Sequence, residues 1–160
     1  MIDRLSEFDL DALTVLIDCL ETTPTLSNED VEHRYRAHIR NVFPAMLEDG
    51  KSYGEASGGT MSFLNRPDAR DYIISIHDDL GANVAILSGA FAEYLDTGEP
   101  PAPFYAWRIC IILAKGKMRQ LELRFLNAWV RHFEHRGVGQ RYKILVQRRT
   151  KLSATSSLIS

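Results

Sequence analysis

The sequence has few cysteines, no long apolar run and almost no acid in its last 60 positions. Each scarcity excludes something. Cys19 and Cys110 are the two cysteines of 160 residues, too few for a disulfide framework and too far apart for a zinc-finger spacing. Both lie in apolar helical contexts and read as buried thiols of a cytoplasmic protein. The longest apolar stretch, Ile109 to Ala114, stands between Arg108 and Lys115, far short of the roughly 18 apolar residues that a membrane span needs. The N-terminus is acidic and amphipathic, unlike the charged and apolar regions of a signal peptide. There is no Gly-x-Ser-x-Gly elbow and no histidine close to either cysteine, so nucleophilic catalysis finds no support. Glycine-rich phosphate loops, helix-turn-helix signatures, internal repeats and low-complexity tracts are also missing.

What is there is a strong division of charge. The net charge is −2, yet residues 1–100 hold 19 Asp/Glu against 7 Lys/Arg. Residues 101–160 hold 12 Lys/Arg against two acids, Glu122 and Glu134. Such asymmetry points either to an anionic partner or to a basic half that packs on the acidic half. The second is the stronger expectation, because the basic half is also the most apolar part of the chain. The composition, 45% hydrophobic and 25% charged, suits one globular domain with its own core.

Helical periodicity dominates. Leu10, Leu13, Leu16, Ile17 and Leu20 predict a first helix over 6–21. Ser27 and Asp30 form a capping box that opens a second, which Pro44 should kink or end early. Asn65 caps a third that runs to Thr97, with a break at Gly81. Gly98 to Pro103 turns the chain into a fourth, 104–136, weak at Ala114-Lys115-Gly116. Residues 141–147 are compatible with a short strand or a helical end, and Ser153 to Ser160 with a frayed tail. The predicted fold is all-α: an up-down bundle of four main helices over residues 1–140, up to six with breaks near Gly81 and Gly116. Residues 141–160 form a basic C-terminal extension, a short strand or disordered.

Four sets of residues are candidates for function. Arg119, Arg124, Arg131 and Arg136 continue into Arg141, Lys143, Arg148, Arg149 and Lys151, a surface able to attract phosphates. Gly81, Ala85, Gly89 and Ala92 form a small-residue stripe that suits tight packing inside a bundle or a dimer face. His132 and His135 stand at i, i+3 and need further ligands, such as Glu29, Asp30 and His33, to hold a metal. Arg70-Asp71-Tyr72-Ile73-Ile74-Ser75-Ile76-His77 resembles the motif of HEPN-type ribonucleases, an arginine and a histidine at one composite site. In that motif four to six residues stand between the arginine and the histidine, here the six from Asp71 to Ile76. Those proteins are small helical bundles that work as dimers. The resemblance covers eight residues and implies His77 as general acid or base, with Arg70 stabilising a phosphate. The plainer reading makes His77 a partly buried polar residue beside Ile73 and Leu80.

These observations favour a non-enzymatic protein that works through protein contacts, regulatory or adaptor-like, as a homodimer or with a partner. They imply no cofactor and no membrane. The alternatives are nucleic-acid binding through residues 119–151, and a small ribonuclease-like or metal-binding helical enzyme.

Overall fold

A computed structural model describes residues 5–51, 67–136 and 140–159. Among these the chain forms seven helices and no strand: α1 (Glu7–Thr22), α2 (Asn28–Glu48), α3 (Ala69–Ser75), α4 (Leu80–Thr97), α5 (Pro103–Lys115), α6 (Arg119–Phe133) and α7 (Gln140–Ile159). The all-α class therefore holds.

Local signals set several boundaries. Ser6 caps α1, its Oγ accepting from the Asp9 N–H at 3.1 Å. Glu7 and Asp9 in the first turn favour the positive end of the helix dipole. The capping box of α2 forms as its sequence predicts: the Asp30 N–H donates to Ser27 Oγ at 3.1 Å, and the Ser27 N–H to the Asp30 carboxylate at 3.4 Å. Hydrogen bonds from the Ser27 side chain and then its backbone N–H hold the Asp30 carboxyl below its usual range.

Other expectations are corrected. Pro44 does not end α2 early, because the helix continues to Glu48. Pro44 is exposed and removes only its own donor. The break expected at Gly81 falls instead between Ser75 and Leu80. Asp79 causes this: its Oδ1 accepts from the Ala82 N–H at 3.0 Å, which starts a new helix and leaves Gly81 inside the first turn. The expected cap Asn65 lies outside the described residues. Residues 140–159 are helical, which decides against the strand and against a tail frayed from Ser153. Cys19 is exposed, whereas Cys110 is buried as expected.

The break at Gly116 is where the sequence places it. Lys117 there adopts φ 58°, in the left-handed region that disfavours any side chain. Lys117→Gly should stabilise the protein by about 1 kcal/mol, read as a raised denaturation midpoint with an unchanged slope in urea.

The chain falls into two compact units. The first comprises residues up to Thr25, Asp78–Val84 and Ala102 onward. In it α6 packs on α1, α5 and α7, and α5 packs also on α7. Leu13, Leu16, Ile17 and Leu20 of α1, Ile109 and Leu113 of α5, Phe125, Trp129 and Phe133 of α6, and Leu145 of α7 are buried. Trp129 stacks on Tyr142 with ring centroids 5.3 Å apart, which fixes α7 to α6.

The second unit comprises Leu26–His77 and Ala85–Pro101, hence α2, α3 and most of α4. Here α4 buries Ile86, Leu87, Ala90, Phe91 and Tyr94. Arg34 of α2 donates to the Leu95 carbonyl of α4. Val42 is the one buried residue of α2.

Candidate functional site

The basic residues of α6 meet the end of α1. Arg124 Nη2 donates to Asp18 Oδ1 at 2.6 Å and to Glu21 Oε1 at 2.7 Å. The hydrogen bonds with Glu21 and then Asp18 raise its already high pKa. Two turns on, Arg131 Nη1 donates to the carbonyls of Leu20 at 2.8 Å and Thr23 at 3.1 Å. These are C-terminal carbonyls that α1 leaves without helical partners, and a cation suits that end of the dipole.

His132 is buried beside Arg131 and brings Nε2 to 2.7 Å from the Leu20 carbonyl. A carbonyl oxygen only accepts, so the proton sits on Nε2 of the neutral ring. Burial lowers the His132 pKa from about 6.5; the bond to Leu20 acts the other way, and the Arg131 charge adds to the lowering. The folded chain therefore binds this proton less readily than the unfolded one. Stability is full above pH 6.5 and falls as the pH drops through that value toward the lower folded pKa. His132→Gln should flatten this acid slope in urea titrations at pH 5 to 7.

A second ion pair lies deeper. Glu122 on α6 is fully buried. Arg148 of α7 reaches it with Nε and Nη2, the latter 3.1 Å from Oε1. The hydrogen bond to Glu122 raises the Arg148 pKa. Burial pushes the nearby Cys110 thiol far above its usual range, and Glu122 adds to the effect. A neutral thiol sealed in the core is inert. A third pair joins buried Arg108 of α5 to Asp78, Nη2 to Oδ1 at 2.8 Å, with Lys115 at 3.3 Å from the same oxygen.

Of the predicted anion surface, Arg124, Arg131 and Arg148 are therefore engaged within the first unit. Arg141 lies over the rings of Phe104 and Trp107, 4.9 and 5.0 Å from their centroids. The Nε of Arg149 is buried and makes no hydrogen bond. Lys143 and Lys151 are exposed on the outer face of α7.

The remaining predicted sites are not assembled. α3 ends at Ser75, so His77 follows the helix rather than sharing its face with Arg70, and both are exposed. This corrects the partly buried position expected of His77. His135 is exposed and lies 3.9 Å from Glu134, while His132 Nε2 is turned to Leu20. Among the described residues no group of three His, Cys, Asp or Glu side chains is placed to hold a metal ion. No helix of the described residues is long and apolar enough to cross a membrane. The small-residue stripe is divided. In the first unit Gly81 lies under the Asp9 carboxylate, where a Cβ would stand 2.5 Å from Oδ1. In the second unit Ala85 and Ala92 are exposed and Gly89 is half-buried.

The surface feature that sequence reasoning missed is apolar. On α1, Phe8 is 82% and Val15 68% exposed; on α2, Phe43 is 53% and Leu47 69% exposed. A helical wheel holds the signal for α1, since residues 8 and 15 lie two turns apart and away from the Leu13, Leu16, Ile17 and Leu20 stripe. No protein family, curated protein or solved structure matches the chain.

Proposed function

We propose that this chain is a non-enzymatic helical protein that acts through protein contacts and self-associates. The observation that carries this reading is the set of large apolar side chains exposed on helices, above all Phe8 and Val15 on α1 and Phe43 and Leu47 on α2. Helix faces of this kind serve as docking surfaces. The internal engagement of Arg124, Arg131 and Arg148 supports the reading, since it removes three cations from any phosphate-binding surface. The short connection between α5 and α6 favours an antiparallel pair, and with it an up-down arrangement in the first unit. A reducing, cytoplasmic setting fits the two free thiols.

Light scattering after size exclusion tests the proposal. The expected result is a mass that rises with concentration from 18.2 kDa toward twice that value. A mass of 18.2 kDa at every concentration and salt would contradict it. Nucleic-acid binding through residues 119–151 is the second reading, favoured by exposed Lys143 and Lys151 in a helix without acids. Strong, salt-sensitive retention on a polyanion column, lost when residues 141–160 are removed, would promote it.

A further inference from the structure

We infer that the outer face of α1 docks α7 of a second copy of this chain. The inference rests on the proposed self-association and names the surfaces that would carry it. Phe8, Ala12, Val15 and Cys19 follow one another at spacings of four, three and four residues. That is the seam a helix offers to another helix in left-handed packing. Phe8, Val15 and Cys19 are exposed, and Ala12 is half-buried. Exposed Asp11 and Asp18 run along one edge of the seam.

The outer face of α7 is complementary. Lys143, Ile144, Gln147 and Lys151 are exposed on it, and no acid follows Glu134. Asp11 and Asp18 lie about 10 Å apart along their helix, and Lys143 and Lys151 about 12 Å. An antiparallel pairing therefore sets Asp11 against Lys151 and brings Lys143 to Asp18, which Arg124 also holds, with Val15 between Ile144 and Gln147. Pairing α1 with α1 of a second copy would set Asp11 and Asp18 against a like acidic edge, which complementary surfaces avoid. Both α1 and α7 pack on α6 and, among the described residues, not on each other. The contact can thus be made twice around a two-fold axis, α1 on α7 and α7 on α1, which closes the dimer.

The test measures self-association of the full chain by sedimentation. Phe8→Ser with Val15→Ser should weaken it at least about tenfold, with an unchanged circular dichroism spectrum because both positions are exposed. Asp11→Lys alone and Lys151→Glu alone should each weaken it several-fold, and the two together should restore it. Oxidation of a Lys143→Cys variant should give a covalent dimer that Cys19→Ser abolishes. An assembly that forms but ignores all these substitutions would overturn the inference and leave the proposed function standing. So would a Cys19–Cys19 disulfide dimer of the unsubstituted chain, which would place α1 on α1. A chain that stays monomeric throughout would instead overturn the self-association on which both rest.

Discussion

Arg148→Ala should lower stability by about 3 kcal/mol or more and the Tm by roughly 10 °C. The reason is what it leaves behind. Glu122 is fully buried on α6, and Arg148 from α7 bonds both its oxygens. Without the guanidinium, an isolated carboxylate remains in the core, and a buried charge without a partner is far costlier than the pair. The double variant Glu122→Leu with Arg148→Leu removes both charges and should recover most of the loss. Urea titrations of Glu122→Leu, Arg148→Leu and the double variant give the coupling directly. A loss under 1 kcal/mol for Arg148→Ala would show that the pair is not buried as described.

Gly98→Ala should cost about 3 kcal/mol, and here Gly50 provides the control. Gly98 ends α4 at φ 74°, its N–H donating to the Tyr94 carbonyl at 2.8 Å. A Cβ there would lie 2.5 Å from the Val31 carbonyl and 3.2 Å from the Tyr35 nitrogen, both backbone atoms of α2. Strain and collision therefore add, because a helix backbone cannot yield as a side chain tip can. Gly50 has φ 64° but would present its Cβ to nothing within 4 Å. Gly50→Ala should thus cost only the conformational part, about 1 kcal/mol. Equal losses at the two positions would mean that the approach of α2 to the end of α4 is not the cause.

The helices and their caps were the legible part of the chain. The Ser27–Asp30 box and Gly116 are local signals, and local bonds decide those boundaries. What escaped reading depends on a choice between competing local bonds. Gly81 is a weak helix former, but Asp79 two residues earlier offers a cap, and the cap sets the boundary. Cys19 has apolar neighbours in sequence, yet it stands about a third of a turn from the centre of the α1 core stripe, on the side of Phe8 and Val15.

The charge division was legible in sign but not in pairing. That Arg124 meets Asp18 and Glu21 accords with a basic half packed on an acidic one. That Arg148 meets Glu122 does not follow from the division, because both belong to the basic half. Glu122 did carry a signal. It shares a helical face with Leu126 and Trp129, where a carboxylate needs a cation. The candidate interface on α1 was hidden for a different reason: an exposed phenylalanine and valine resemble core residues until the other face of the helix is known to be full.

Sedimentation velocity of the full chain at low and high salt, over a hundredfold range of concentration, tests the central claim most directly. Contacts between the acidic edge of α1 and the basic face of α7 predict a species of twice the 18.2 kDa chain mass at low salt. Salt should weaken it without abolishing it, because screening removes the charge pairing and leaves the apolar seam. A single 18.2 kDa species at every concentration and salt would contradict the account.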